Sequence, residues 1–132
     1  MRILVAFAVL TISSSAALAL PPGDAQRGEK IYDRCMACHS IDRDRTGPRH
    51  AGLFGRKAGS VPGFAYSPAM KKAGANGLVW NDETLDKFLK APTKFIPGTR
   101  MGYAGIKDDQ ERADLLAYLK QAGGGTSQSS SK

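Results

Sequence analysis

The sequence predicts a chain built of helices, from two kinds of signal. Residues that cap helix N-termini stand at four separate points, each ahead of a stretch with helical character. Ala25, Gly28, Tyr32 and Cys35 are spaced as one stripe of a helix, and no strand-type alternation surrounds residue 35. Helices, joined by loops rich in glycine and proline, therefore form the predicted framework.

The predicted helices can be placed from their caps and end signals. Gly28 lies in the interior of the first helix, where glycine costs stability, and this indicates that another helix packs against the backbone there. Residues 40–66 carry turn clusters and are predicted to be loop. The four helices run from the cap Asp24 to about Cys38, over 68–73 with Gly74 as the end, from the cap Asn81 to Pro92, and from the cap Asp108 to Gly123.

The N-terminus has the features of an export signal. Arg2 precedes an apolar run over residues 3–12, and a small-residue site, Ala17-Leu18-Ala19, follows. We expect a signal peptide over 1–19, one domain over 20–123, and a flexible Gly/Ser-rich tail over 124–132. A retained membrane anchor is the alternative, but the apolar run is shorter than the ~20 residues that span a bilayer.

The charge of the chain is basic and bears on its partners. The 132 residues include 19 Lys and Arg against 12 Asp and Glu, a net charge of +7. Such a charge steers acidic partners at modest salt. The cations are scattered among acidic residues without a compact basic run, so nucleic acid is not the expected partner.

The strongest chemical signal is the stretch Cys35-Met36-Ala37-Cys38-His39, because C-x-x-C-H is the attachment signature of a c-type haem. Two thiols three residues apart can each bond to a vinyl-derived carbon of one porphyrin. His39 then lies under the ring with an imidazole nitrogen free to bind iron. Cys35 and Cys38 are the only cysteines, so no third thiol competes for attachment.

Other readings of the two cysteines fit less well. A thioredoxin-like C-x-x-C begins a helix in a strand-helix-strand unit, which this region lacks. A structural disulfide suits an exported chain but leaves the adjacent His39 unexplained. A zinc site needs four N or S ligands, and the chain has two Cys and two His in all.

Iron bound by His39 needs a ligand on its opposite side, or an open position there. Met101 lies in a loop stiffened by Pro97 and opened by glycines, and a thioether at this place would raise the reduction potential. Met70, His50 and an open site are the alternatives. Met70 lies in a predicted helix, where methionine usually fills the core.

Further residues have the chemistry to support such a cofactor. The turn at Gly47-Pro48 can bring a carbonyl to the Nδ1 proton of His39 and fix its tautomer. Arg56, Tyr66 and Trp80 carry donors that buried propionates require. Without further evidence, Pro48 is equally a simple turn residue and Arg56 a surface cation.

Ordered motifs accompany the C-x-x-C-H stretch along most of the chain. They are T-G-P at 46–48, G-L-F-G-R-K-A-G at 52–59, P-G-F-A-Y at 62–66, Trp80, E-T-L at 83–85, F-I-P-G-T-R-M at 95–101, and A-G-I-K followed by E-R-A-D-L-L-A-Y-L-K. With them the chain resembles, over residues 23–120, the small class I cytochromes c of mitochondrial type and their bacterial soluble relatives.

The resemblance implies an all-α fold of the class I cytochrome c type. It has about four or five helices around one covalently attached haem c, and its N- and C-terminal helices cross near Gly28 and Tyr118. The iron is bound by His39 and Met101. The haem-binding residues that the resemblance implies are Cys35, Cys38, His39, Pro48, Arg56, Tyr66, Trp80 and Met101.

The resemblance also implies a function, that of a monomeric one-electron carrier in the respiratory chain and not an enzyme. We expect it in the periplasm, without stable membrane insertion after signal cleavage. Its partners would be redox proteins with acidic docking surfaces, such as a cytochrome bc complex, a terminal oxidase or a periplasmic dehydrogenase. The candidates for a positive rim that orients them are Arg34, Lys94, Arg100 and Lys107.

Two other functions remain open at this point. If the sixth iron position is vacant, the protein becomes a haem-based sensor of small ligands or a peroxidase-like enzyme. An obligate subunit of a dehydrogenase complex is the third possibility. The chain also differs from the family pattern at two positions. Phe88 stands where a tyrosine often hydrogen-bonds the methionine sulfur, and Met70 stands where an asparagine often organises internal water.

Overall fold

A computed structural model describes residues 19–124, and these form five helices joined by loops. Within this range the only strand-like pairing is an isolated bridge between Lys57 and Val79. The predicted helical framework is therefore confirmed. The helices are α1 (Ala25–Tyr32), α2 (Pro68–Ala75), α3 (Asp82–Lys90), α4 (Pro92–Phe95) and α5 (Asp109–Ala122). The predicted signal segment up to residue 18 and the tail from residue 125 lie outside the described residues.

Capping side chains begin four of the helices as predicted. Asp24 accepts from the Arg27 N–H at 2.9 Å, and Ser67 accepts from the Met70 N–H at 3.1 Å. At α3 the Asn81 and Thr84 side chains each accept from the other's backbone N–H, a full capping box. Asp108 caps α5, while the Glu111 carboxylate accepts two bonds from Arg34. These caps satisfy backbone donors that the first turns leave without partners.

Helices α1 and α5 cross where the sequence predicts it. A Cβ on Gly28 would lie 2.0 Å from the Asp114 carbonyl oxygen and 2.8 Å from Tyr118 Cβ, so the two backbones are in close contact. Next to this contact the rings of Tyr32 and Tyr118 pack with their centroids 5.2 Å apart. Leu115 is fully buried beneath them. Only glycine permits this separation of the two helices.

A buried carboxylate joins the start of α1 to α5. Asp114 Oδ2 accepts from Arg27 Nε at 2.7 Å, and Asp114 Oδ1 accepts from the Asp24 N–H at 2.8 Å and from Gln110 at 3.0 Å. The hydrogen bond from Arg27 lowers the pKa of Asp114 to about 2. Because the carboxylate is hydrogen-bonded on both oxygens, its burial carries no unpaired charge.

Three helix boundaries differ from the prediction. Helix α1 ends at Tyr32 and not near Cys38, because the following residues form tighter turns such as Cys35 N–H to the Tyr32 carbonyl at 2.7 Å. Pro92 does not end α3 but is the first residue of α4, a position that its ring suits. Gly74 lies within α2, where a Cβ would be 1.9 Å from the Ala58 carbonyl oxygen. Its role is close packing and not helix termination.

A buried arginine ties α5 to α3 and to the loop between α4 and α5. Arg112 is 1% exposed and bonds the carboxylates of Asp86 and Asp109. Its guanidinium also donates to the carbonyls of Ile106 and Lys107, each at 2.9 Å. The C-terminal half of the loop that contains Met101 is thereby fixed against α5.

The core lies between the crossing helices and α2–α4. It contains Leu53 and Ile106 from loops together with the apolar faces of the helices, and Met101 and Tyr103 pack against its edge. Among residues 19–124, no helix combines the length and apolar character that crossing a bilayer requires.

We predict that Gly28→Ala lowers the free energy of unfolding by about 3 kcal/mol, because the new methyl group overlaps the α5 backbone and forces the helices apart. Denaturant unfolding measures this. Gln26→Ala is the control, since Gln26 is an exposed position on the same helix, and we expect a change below about 1 kcal/mol. Equal effects of the two substitutions would show that the helices do not cross at Gly28.

Candidate functional site

A cavity of about 340 Å³ opens within the core, and its walls are mainly apolar. Phe88, Leu89 and Leu115 belong both to the core and to these walls. The structure brings every predicted haem-binding residue to this one cavity: Cys35, Cys38, His39, Pro48, Arg56, Tyr66, Trp80 and Met101. A larger groove of about 780 Å³ lies between residues 20–25 and α5, but no Cys, His or Met lines it.

The two cysteines lie on the turns that follow α1. The Cys38 and His39 N–H groups both donate to the Cys35 carbonyl, at 3.1 and 2.9 Å. Both thiols are free, and burial raises the pKa of Cys35 to about 11. A catalytic redox C-x-x-C has a lowered thiol pKa. Among the described residues no group of three or more His, Cys, Asp or Glu could hold a metal ion, so zinc is not favoured either.

The carbonyl of Pro48 accepts a hydrogen bond from His39 Nδ1 at 2.8 Å. Because a carbonyl can only accept, Nδ1 carries the proton and Nε2 keeps its lone pair. Burial lowers the pKa of His39, which favours the neutral imidazole that metals bind. The ring therefore has the tautomer and protonation state of an iron ligand.

Gly47 packs directly on the His39 ring. A Cβ at Gly47 would lie 2.2 Å from His39 Cε1 and 2.6 Å from both ring nitrogens. The Gly47 N–H also donates to the Cys38 carbonyl at 2.7 Å, which holds the 46–48 turn against the attachment motif. In the sequence Gly47 has only the signal of a turn residue, so this contact could not be read from it.

His50 lies against His39 and not opposite to it. The two rings stack with centroids 4.3 Å apart and an angle of 21° between their planes. His50 Nδ1 is 2.9 Å from the Tyr32 hydroxyl. Any metal that His39 binds has the His39 ring on one side, and a side chain stacked on that ring lies on the same side of the metal. His50 is therefore not suited to be the ligand on the opposite side.

Both remaining candidate sulfurs reach the cavity. Met101 lines it from the loop after α4, where Arg100 donates to the Ala65 carbonyl at 3.0 Å and Thr99 accepts from the Met101 N–H at 3.4 Å. Met70 lines it from α2 and is buried in the core. Phe88 lies in the same wall and packs on Trp80 and Phe95, with centroids 5.1 and 6.4 Å away.

A half-buried cation reaches the cavity and pairs with no carboxylate among residues 19–124. Arg56 donates to the carbonyls of Ala51 and Arg49 at 3.0 and 2.9 Å, and burial lowers its pKa. The nearby Asp44 carboxylate pairs with Arg49 instead, at 3.1 Å. A buried guanidinium without a counter-charge is costly. An anionic group in the cavity would supply that counter-charge.

Two neutral donors accompany Arg56. Tyr66 accepts from the Val61 N–H at 3.2 Å, which leaves its hydroxyl proton free, and Trp80 is 5% exposed. Within the described part of the chain, neither the Tyr66 hydroxyl nor the Trp80 indole donates to another residue. The cavity thus joins two thiols, an imidazole with a free Nε2, apolar walls and unused donors. These features fit a porphyrin with two propionates.

The comparisons with known proteins agree with this chemistry. The family model described as cytochrome c matches residues 25–123. The chain belongs to the cytochrome c family. It is 46% identical over 106 residues to cytochrome c of Sesamum indicum, covering 77% of this chain and 93% of that protein. It is 49% identical over 96 residues to cytochrome c2 of Afifella marina, covering 70% and 77%.

Its fold is also that of a solved family member. Cytochrome cH from Methylobacterium extorquens superposes with a TM-score of 0.71 at 42% identity, covering 75% of this chain and 99% of that one. The class I cytochrome c fold is therefore confirmed, as is the covalently bound haem c with its iron, for which the chain has the two cysteines. Membership also supports the role of an electron carrier.

The predicted positive rim is less uniform than the sequence suggests. Arg34 and Arg100 line the cavity, whereas Lys94 and Lys107 do not. Arg34 makes two hydrogen bonds of 2.9 Å to the Glu111 carboxylate, which offsets its charge. Lys107 donates to the carbonyls of Lys90 and Ala104. Among the described residues, Lys94, Arg100 and Lys107 form no ion pair with a carboxylate.

Proposed function

We propose that this protein carries single electrons between larger redox proteins, with its haem iron bound by His39 and Met101. The observation that carries the proposal is the cavity, because it joins the attachment cysteines, the oriented imidazole and a thioether within one apolar space. When bound, the haem supplies reversible one-electron chemistry at its iron. The chain supplies ligands, orientation and exclusion of water.

Each residue has a separate task in this proposal. Cys35 and Cys38 hold the porphyrin by thioether bonds, and the Pro48 carbonyl keeps His39 Nε2 available to the iron. Met101 would supply the second protein ligand to the iron, from a loop that Arg112 fixes at its far end. Ligands held in this way would limit structural rearrangement when the iron gains or loses an electron.

Met101 suits the ligand role better than Met70. Met70 is held within α2 by its helix and capping bonds and belongs to the buried core, a setting in which methionine fills space. Met101 lies in a loop at the edge of the core, next to the backbone of Gly102, where a Cβ would meet nothing within 4 Å. That space lets the loop approach a porphyrin closely.

Arg56, Tyr66 and Trp80 are the proposed partners of the propionates. All three line the cavity. Among the described residues the Tyr66 hydroxyl and the Trp80 indole have no protein acceptor, and the Arg56 guanidinium donates to two backbone carbonyls but to no carboxylate. Two propionates would satisfy the buried charge and both neutral donors at once.

The partners and the location complete the proposal. Lys94, Arg100 and Lys107 would orient acidic docking surfaces of redox proteins in a short-lived encounter. The net charge, +6 once Arg2 is removed with the signal segment, would act in the same sense. The apolar segment at residues 3–12 and the small-residue site before Leu20 support export to the periplasm, where the attached form would act as a separate carrier.

We predict that the purified ferric protein shows the weak near-infrared sulfur-to-iron band and that Met101→Ala abolishes it, because the substitution removes the thioether. The reduced variant should then bind carbon monoxide readily, whereas the wild type should not. Met36→Ala is the control, since Met36 is 49% exposed and outside the cavity lining. If Met70→Leu loses the band and Met101→Ala keeps it, the sulfur ligand is Met70 and not Met101. Ready binding of carbon monoxide by the wild type would favour a ligand sensor.

We predict that electron exchange with anionic hexacyanoferrate slows as ionic strength rises, because salt screens the attraction of a basic surface. Stopped-flow kinetics measure the dependence. Arg100→Gln should flatten it more than Lys30→Gln, a substitution of the same charge change on α1 away from the cavity. Identical slopes for the two variants would mean that net charge, and not the rim, governs the encounter.

A further inference from the structure

His50 stands out because it touches the proposed iron ligand and has no role in the proposed function. Its ring stacks on His39 with a centroid separation of 4.3 Å and an interplanar angle of 21°. A ring stacked at this distance restricts rotation of the His39 imidazole about its own axis. The contact involves the face of His39, whereas the Pro48 carbonyl acts on its Nδ1 edge.

The backbone of His50 is fixed close to the attachment motif. The His50 N–H donates to the Ser40 carbonyl at 3.0 Å, and the His50 carbonyl accepts from the Leu53 N–H at 3.0 Å. Ser40 directly follows His39, so the first of these hydrogen bonds joins the segment that carries His50 to the segment that carries His39. A large movement of one histidine relative to the other would break this bond.

The ring of His50 is held in turn by a buried hydroxyl. The Tyr32 hydroxyl and His50 Nδ1 lie 2.9 Å apart, and Tyr32 is 3% exposed at the end of α1. The Tyr32 and His50 rings meet at 66° with centroids 5.6 Å apart. The Tyr32 ring also packs against Tyr118 of α5. The crossing of α1 and α5 therefore sets the position of the hydroxyl.

We propose that His50 is a positioning residue for His39, and that the Tyr32 hydroxyl orients it. Three contacts together restrict the His39 imidazole to one orientation of its ring plane. They come from the His50 ring, the Gly47 backbone and the Pro48 carbonyl. The inference rests on the proposed function, in which His39 binds the iron. Residues that contact a ligand from outside orient it and tune the metal.

The plane of an axial imidazole has a signature separate from stability. In the ferric state it would contribute, together with the orientation of the second iron ligand, to how unpaired spin is distributed over the porphyrin. This distribution sets the spread of the haem-methyl proton resonances and the anisotropy of the electron paramagnetic resonance signal. A residue that only fills space would alter the melting temperature without altering either spectrum. The two spectra therefore distinguish a positioning role from a structural one.

The test uses the purified full-length holoprotein and two variants. Tyr32→Phe removes only the hydroxyl and keeps the ring in the α1–α5 contact, while His50→Leu removes the stacked imidazole. Tyr118→Phe is the matched control, because it removes a hydroxyl from the next ring without touching His50. We expect both test variants to keep the near-infrared sulfur band and to shift the haem-methyl resonances in the same sense, His50→Leu more strongly. The control should leave them unchanged.

The outcomes separate this inference from the proposed function. Suppose that the wild type shows the His/Met spectrum and that the haem-methyl resonances of Tyr32→Phe and His50→Leu are the same as in the wild type. His50 is then not a positioning residue, and only this inference fails. Shifts in Tyr118→Phe as large as those in Tyr32→Phe would also overturn it. If the wild type lacks the His/Met spectrum, the proposed function fails with it.

Discussion

The hydrogen bond between His39 Nδ1 and the Pro48 carbonyl is the contact on which the proposed site depends. It fixes the tautomer of the imidazole, with the proton on Nδ1 and the lone pair on Nε2. The turn is held in place by the Gly47 N–H and the Cys38 carbonyl, and no side chain larger than that of glycine fits beside the ring. The attachment motif and the turn that orients its histidine are thus one unit.

The rest of the fold forms the core and the cavity that the attachment motif and the 46–48 turn line. The crossing of α1 and α5 at Gly28 forms one wall, and α2 and α3 contribute Met70, Leu85 and Phe88 to others. A core of this size in a single small domain provides limited burial. A porphyrin in the cavity would add apolar contacts with the residues that line it, which would link cofactor attachment to stability.

Local signals in the sequence were sufficient for much of the framework. The caps at Asp24, Ser67, Asn81 and Asp108 depend on neighbours within a few residues, and for that reason all four were predicted correctly. The covalent haem followed from five consecutive residues, and the family from ordered motifs. The ligands and propionate partners stay predictions, although the structure places all of them around one cavity.

Features that depend on distant contacts were not accessible in the same way. The packing of Gly74 against Ala58 and of Gly47 against His39 requires chain positions that the sequence does not specify. The pairing of Arg34 with Glu111 joins residues far apart in the chain, so the sequence does not show that the charge of this predicted rim cation is offset. The stacking of His50 on His39 has no sequence signal either.

The central claim is that one haem iron is bound between the nitrogen of His39 and the sulfur of Met101. X-ray absorption at the iron K edge of the purified ferric protein measures the iron's neighbours directly. The claim predicts five nitrogen neighbours and one sulfur neighbour per iron. A shell of six nitrogen or oxygen neighbours without sulfur would contradict it.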